Sequence, residues 1–308
     1  MSKLSVVLPA YNEELMVGKT CRVLAEVLTK AKIPYELVVV NDGSGDRTWE
    51  EIQKAGERDA NVTGVLFSRN FGKEAALYAG LERASGDYVT VMDVDLQDPP
   101  ELLIEMKEKL DQQPNLDCVG TRRVTRDGEP LIRSFFARMF YKLINHISQV
   151  EMVDGARDFR LMTRQVVDAI LELKEVNRFS KGLFSWVGFD VAYVSYENRE
   201  RVAGETSWSF WSLLSYSLDG FINFSEVPLK LATWAGTFSF LVSLVGIAFV
   251  VIRKLTIGGS VAGWASLVSI ILFIGGIQLL ALGIIGNYIS KIFLETKKRP
   301  VYIVKEKG

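Results

Sequence analysis

Three aspartates, Asp93, Asp95 and Asp98, follow an apolar run at residues 88–92 and precede a Pro99-Pro100 pair in YVTVMDVDLQDPP. Carboxylates this close raise one another's pKa and cost stability unless something positive sits among them. A cation is therefore expected. Mg2+ or Mn2+ suits the cluster, because such an ion takes a few carboxylates together with the phosphate oxygens of a nucleoside diphosphate. For Asp98 a plainer role competes, that of capping the helix which Pro99 and Pro100 begin.

Other chemistries are narrowed by what the chain lacks. His146 is the only histidine and lies in an amphipathic segment, while Cys21 and Cys118 are far apart and form no metal-spaced pair. Zinc clusters and serine-histidine triads are excluded on those grounds, and two separated cysteines fit a reducing compartment. GSGDRT carries only the first two glycines of a dinucleotide fingerprint and follows the second apolar run rather than the first, so a dinucleotide oxidoreductase is not indicated. A net charge of -1 supplies no basic face, and no nucleic-acid partner is expected.

The acidic cluster needs elements to position it. With 308 residues, 48% of them hydrophobic and 24% charged, the chain can build one large domain or two smaller ones. Apolar runs at 4–8, 37–40, 62–67, 88–92 and 116–119 are separated by the helix-like EELMVGKTCRVLAEVLTK, TWEEIQKAGERD, KEAALYAGLERA and PPELLIEMKEKLDQQ. That alternation predicts an α/β fold with a mostly parallel sheet covered by helices. Ligands of such sheets sit beyond the carboxyl ends of the strands. The segments emerging there are PAYNEE, NDGSGDRT, SRNFGKE and DVDLQDPP, all polar or acidic.

Beyond residue 230 the composition changes. Residues 232–252 hold no charge, and after Arg253 and Lys254 a second uncharged run covers 255–290. Each exceeds the roughly 20 apolar residues that cross a bilayer. Gly236, Gly246, Gly275, Gly276, Gly283 and Gly286 recur within them, which suits close helix packing in lipid and leads us to expect a homo-oligomer. Ahead of the first run, Trp211, Leu214, Leu218, Phe221 and Phe224 fall near helical spacing, with Trp208 and Tyr216 at headgroup level, as in a helix lying on a membrane surface. The expected organisation is a cytoplasmic domain at 1–207, a surface helix at 208–230, two spans at 231–291 and a basic cytoplasmic tail at 292–308. MSKLSVVLPAYNEE has no basic segment followed by an apolar one, and Lys291, Lys297, Lys298, Arg299, Lys305 and Lys307 follow the positive-inside rule. Arg253 and Lys254, placed by this reading in the outer loop, count against it.

SVVLPAYNEE, VVVNDGSGDRT, SRNFGKEAALYAGLERASGD and DVDLQDPPELL together resemble the successive motifs of family-2 glycosyltransferases with the GT-A fold, a Rossmann-like sheet with helices on both faces. GTRR, GARDFRLM and RVAGETSWSFWSLL, followed by two spans, are similar to the polyprenyl-phosphate branch, and closest to the bactoprenol glucosyltransferase type. The resemblance implies inverting transfer from a UDP-sugar, glucose before others, to undecaprenyl phosphate at the inner face of a bacterial plasma membrane. It implies that Pro9, Tyr11, Glu13, Asp42, Asp93 and Gln97 border the nucleotide-sugar, with Asp42 accepting from the uracil imide. Asp95 would bind the metal that bridges the diphosphate, which is how the cluster would be neutralised. Asp158 would lie closest to the acceptor, against the alternative of a structural ion pair with Arg157 or Arg160. Arg122 and Arg138 would hold the lipid phosphate. Arg201, Gly204 and Thr206 would belong to a loop that closes over the donor, where Ser207 replaces the lysine common in relatives. A processive polysaccharide synthase would add a Q-x-x-R-W motif and more spans, and a silent nucleotide-binding scaffold would not need Asp95, Asp158 and Arg201 together.

Overall fold

The computed structural model describes residues 2–123, 156–196, 225–256 and 263–308. The chain divides into two compact units, one comprising Met1–Gly220 with Arg299–Gly308 and the other Phe221–Lys298.

The first unit opens with four βα pairs. Strands β1 (Leu4–Ala10), β2 (Tyr35–Asn41), β3 (Val62–Phe67) and β4 (Tyr88–Val91) alternate with helices α1 (Val17–Lys30), α2 (Thr48–Arg58), α3 (Lys73–Arg83) and α4 (Leu102–Gln112). These strands are parallel neighbours in the order β4-β1-β2-β3. Both faces are covered, which is why the strands are apolar almost throughout. Leu4, Val6 and Leu8 point into a core built with α1, α2 and α4, while Val7 points into the opposite one with Leu77 and Leu81 of α3. Helix α3 lies so close to β1 that a Cβ on Gly80 would stand 2.1 Å from Val7 Cγ1, so this position admits no side chain without a shift.

The sheet continues in both directions beyond this parallel block. Strands β5 (Cys118–Arg123), β6 (Ala156–Thr163) and β7 (Val191–Tyr196), with helices α5 (Arg164–Glu172) and α6 (Ser180–Trp186), extend one side. Strand β6 inserts antiparallel between β4 and β5, and β7 pairs parallel to β5 at the edge. The expected mostly parallel α/β sheet with helices on both faces is thus the core of a mixed sheet, eight-stranded among the described residues. The run expected at 116–119 begins two residues later, at Cys118, and continues to Arg123. Cys21 and Cys118 are free and buried, and burial pushes their thiols up to about 12 and about 11, so both stay protonated at neutral pH.

The other edge is closed by the end of the chain. Strand β8 (Val304–Lys307) runs antiparallel to β3, with Gly64 and Gly308 exchanging both backbone hydrogen bonds at 3.0 and 3.2 Å. Tyr302 stacks on Phe67 at 4.8 Å between ring centroids, donates its hydroxyl to Glu82 at 2.5 Å, and joins Val301 and Val304 over the core beneath α3. The stretch expected as a basic tail therefore contains a strand that covers the β3 edge with Lys305 and Lys307 in solvent, a protection against edge-to-edge association.

In the second unit, α7 (Val227–Thr256) and α8 (Trp264–Thr296) pack against each other, and the Tyr288 hydroxyl donates to the Ser225 carbonyl at 2.6 Å. Val227–Phe249 and Phe273–Thr296 are long and apolar enough to cross a membrane, and neither is buried within the protein. Helix α7 starts inside the range expected to lie on the membrane surface, and Arg253 falls in its last turn rather than in a loop. A Cβ on any of the six span glycines would meet nothing within 4 Å among the described residues. Among the described residues the α7–α8 contact does not use them.

Deleting residues 301–308 removes β8 and the Tyr302 and Val304 side chains. At about 1.5–3 kcal/mol per buried apolar side chain, the cost is a drop of ~4 °C or more in the unfolding midpoint of the full chain in detergent, with faster aggregation through the bare β3 edge. An unchanged midpoint and unchanged solubility would show the strand to be dispensable.

Candidate active site

The loops that leave β1, β2, β3 and β4 meet at the carboxyl edge of the sheet and are tied to one another by hydrogen bonds. From the β1 exit, the Asn12 N–H donates to Ser44 Oγ at 2.9 Å and the Glu13 N–H to Thr48 Oγ1 at 2.8 Å, while the Gly45 N–H donates back to Asn12 Oδ1 at 3.0 Å. Asn12 is held at φ 55, a left-handed conformation that asparagine tolerates better than most residues. Pro9 is half-buried at the end of β1, and Tyr11 is 49% exposed above it.

Asp42 links the second exit to the third. Only 3% exposed, it accepts the Phe71 N–H at 2.6 Å and the Gly72 N–H at 2.9 Å, one on each carboxylate oxygen. Burial raises its pKa, and these two N–H groups and Arg69 oppose the rise. The neighbouring Gly43 has φ 65, and a Cβ there would sit 2.3 Å from the Arg69 carbonyl carbon, so NDGS needs glycine at its third position. Fixing the Phe71-Gly72 peptide in turn fixes the start of α3, whose first residue is Lys73.

The acidic cluster follows β4. The Met92 N–H extends the ladder to the Val7 carbonyl, and the chain then turns through Leu96 at φ 55. Asp95, 5% exposed, accepts the Gln97 N–H at 3.1 Å, and Thr20 Oγ1 on α1 donates to the Val94 carbonyl at 2.5 Å. A leucine forced into the left-handed region marks strain held in place by these surroundings. Asp98 does not cap α4. It is 7% exposed and accepts the Tyr196 hydroxyl at the end of β7; burial pushes its pKa up, with Tyr196 and Arg157 opposing.

Strand β6 brings a fourth carboxylate to this edge. Its register with β4 pairs Tyr88 with Thr163 and Val91 with Arg160, which brings Asp158 to the end of β4, where Asp93 follows. Like charges held this close repel. Between them lies the Lys73 ammonium, 2.7 Å from Asp93 Oδ1 and 3.1 Å from Asp158 Oδ2. Burial works against the lysine's charge, but Asp158 and Asp93 outweigh it and raise its pKa. Burial likewise opposes the charge on Asp158, and Lys73, Lys181 and Arg160 hold it well below the usual carboxylate range. The ion pair of Asp158 is therefore with Lys73, whereas Arg160 stacks on the Phe184 ring at 4.0 Å and donates to the Arg157 carbonyl at 3.1 Å. Asp158 Oδ1 is shielded from solvent and has no hydrogen-bond partner among the described residues.

Of the residues expected at the site, Pro9, Tyr11, Glu13, Asp42, Asp93, Asp95, Gln97 and Asp158 converge on this edge. Arg122 lies beside it on β5, exposed, paired in register with Ala156 of β6 and Ser195 of β7. Arg138, Arg201, Gly204, Thr206, Ser207 and His146 lie outside the described residues. Sequence reasoning missed Lys73 and Tyr196. For Lys73 a signal existed: a cation in the first turn of a helix opposes the dipole and implies a specific anionic partner.

The family model for glycosyl transferase family 2 matches residues 5–171, and that for the GtrB C-terminal hairpin matches residues 227–292. A putative glycosyltransferase, CsbB, of Bacillus subtilis is 45% identical, covering 98% of this chain and 91% of its own. The SfII prophage-derived bactoprenol glucosyl transferase of Shigella flexneri is 41% identical, covering 99% and 98%. Among solved structures, glucosyl-3-phosphoglycerate synthase of Mycobacterium tuberculosis, in complex with Mn2+, UDP and phosphoglyceric acid, superposes with a TM-score of 0.50 at 20% identity over 70% of this chain and 75% of that one. This likeness concerns the fold, which is of the GT-A type.

Asp42→Asn keeps one acceptor and turns an N–H2 toward a backbone donor, so it costs about 2 kcal/mol of stability in urea unfolding. A variant with unaltered stability would show that Asp42 does not tie the loops.

Proposed function

The chain belongs to glycosyl transferase family 2, and from that premise we propose that it transfers a sugar, glucose first among candidates, from a UDP-sugar to undecaprenyl phosphate with inversion at the anomeric carbon. The observation that supports this most is the end-to-end similarity to bactoprenol glucosyl transferases, at 41% identity over 99% of the chain. The geometry agrees with it: an acidic donor-side loop and an acceptor-side carboxylate share one edge of the sheet.

On the donor side, Tyr11 offers an exposed ring beside Pro9 for the uracil. Asp42 retains a lone pair on each oxygen to accept the imide N–H, while Glu13, Asp93 and Gln97 line the ribose and diphosphate. The residues fit a divalent metal in a limited way. Lys73 neutralises Asp93 and the Tyr196 hydroxyl occupies Asp98, and no group of three His, Cys, Asp or Glu side chains among the described residues could hold an ion. A Mg2+ or Mn2+ carried largely by diphosphate oxygens needs only one or two carboxylates, and Asp95 meets that requirement. Such an ion would supply charge neutralisation for the departing diphosphate.

On the acceptor side, a phosphate monoester has a second pKa near ~6 and is already mostly dianionic at neutral pH, so no strong general base is needed. A phosphate oxygen attacks the anomeric carbon from the face opposite the nucleotide, the carbon–oxygen bond to UDP breaks, and the electron pair leaves with the diphosphate. Asp158 orients the acceptor or takes its remaining proton. Arg122 and Arg138 provide guanidinium forks for the lipid phosphate, and Arg201, Gly204 and Thr206 close over the donor. The apolar helices give access to a substrate that stays in the bilayer. Both ends of this helical pair lead into the same compact unit, which suits two crossings with the catalytic domain and the chain end on the cytoplasmic side of the bacterial inner membrane.

The direct test is a panel of UDP- and GDP-sugars with the full chain reconstituted in vesicles holding undecaprenyl phosphate, scoring lipid-linked product. UDP-glucose is expected to lead. Transfer to a neutral polyprenol, with no lipid-phosphate product, would overturn the acceptor assignment.

Two further outcomes follow. Asp95→Asn lowers kcat at least ~100-fold, and excess chelator reproduces the loss in the parent protein; full activity in chelator would remove the metal. At saturating donor the rate falls as pH drops below about 6, because the nucleophilic dianion is lost as the acceptor phosphate protonates. A rate flat from pH 7 to pH 5 would show that acceptor ionisation does not matter.

A further inference from the structure

Lys73 meets the donor-binding arrangement described above only through Asp93, yet it occupies the centre of the edge. Its ammonium is the shared partner of two carboxylates that the β4–β6 register would otherwise set against each other, at 2.7 Å from Asp93 and 3.1 Å from Asp158. Only one oxygen of Asp158 is engaged by the lysine. The other, Oδ1, is shielded from solvent without a hydrogen-bond partner among the described residues. A buried acceptor left unmatched costs free energy and marks a place where a ligand donor fits.

We propose that Lys73 is a positioning residue of the acceptor subsite, holding Asp158 so that its second oxygen faces the incoming phosphate monoester while cancelling charge that would repel it. This rests on the transfer to a lipid phosphate proposed above. Without Lys73, two carboxylates face each other and a phosphate dianion must approach both. With it, the net charge of the three side chains falls from two negatives to one, and the orientation of Asp158 is set by a contact that comes from a third strand exit. A phosphate still carrying its proton binds by donating that O–H to Asp158 Oδ1, and it transfers only after the proton has left to solvent, so the dianion remains the nucleophile and the rate still falls below about pH 6. The neighbouring Glu74 is engaged elsewhere, accepting the backbone N–H of Ser180 at 3.0 Å and its hydroxyl, so it does not substitute for Asp93 or Asp158 as the lysine's partner.

The test measures acceptor and donor parameters separately in vesicles with undecaprenyl phosphate, for the parent, Lys73→Met, Lys73→Arg, Asp158→Asn and Lys73→Met with Asp158→Asn. Lys73→Met is expected to lower kcat/KM for the lipid phosphate by ~100-fold or more while UDP affinity stays within ~3-fold. Lys73→Arg, which can still bridge two carboxylates, restores at least ~10-fold of that loss. Because the lysine acts through Asp158, the double variant is expected to be no slower than Asp158→Asn alone. That comparison holds even where Lys73→Met by itself folds poorly, since the double variant lacks the opposed pair. Parent-like acceptor kinetics in Lys73→Met, equal loss of UDP affinity and acceptor turnover, or a double variant slower by the product of the two single effects would each overturn the assignment. A parent protein that glycosylates no lipid phosphate at all would instead fail the transfer reading, and this inference with it.

Discussion

Two carboxylates standing opposite each other at the end of a β-ladder are an unstable arrangement, and the edge of this sheet is organised around the ammonium that makes it tolerable. Strand β6 enters antiparallel beside β4, so its early residues arrive where β4 ends, and Asp158 and Asp93 come within reach of one ammonium. Lys73 can reach both because α3 begins at the exit of β3, and α3 begins there because Asp42 holds the Phe71 and Gly72 amides. A hydrogen bond between two loops thus fixes the lysine, and the lysine fixes the relation between the donor-side strand and the acceptor-side strand. Opposite charges at about 3 Å in a half-buried setting interact several-fold more strongly than in water.

The same edge stores strain where chemistry is proposed. Leu96 and Asn12 adopt left-handed conformations in the two loops that would flank the nucleotide. Each is held by bonds to other elements: Asn12 by Ser44 and Gly45, the Leu96 turn by Thr20 and by the Asp95–Gln97 contact. Rigid loops of this kind favour a site whose groups are aimed before the substrate arrives, which reduces the ordering cost on binding.

The chain's end has a structural role that its composition conceals. Residues 292–308 look like a basic tail, but Tyr302 and Val304 are apolar enough to dock, and β8 covers the sheet edge that β3 would otherwise leave open. The apolar helical pair is consequently an insertion between the body of the sheet and its last strand. Any arrangement of those helices must return the chain to where it began, a constraint imposed by connectivity rather than by loop charge.

The sequence by itself determined the parallel core, because apolar runs alternating with amphipathic helices admit few other packings. It determined the two long apolar helices by length, and the four polar strand exits by where the runs stop. Asp42, Asp95 and Asp158 were legible as candidates through motif resemblance. The partner of the acidic cluster was not. The sequence called for a cation, and the one that the structure places between Asp93 and Asp158 is a lysine distant in sequence from both. Nor could periodicity reveal that β6 runs antiparallel, that Tyr196 rather than α4 claims Asp98, or that β8 completes the sheet. Each depends on which segments lie side by side after folding, and a strand's direction and neighbours are decided by long-range pairing, not by the alternation within the strand.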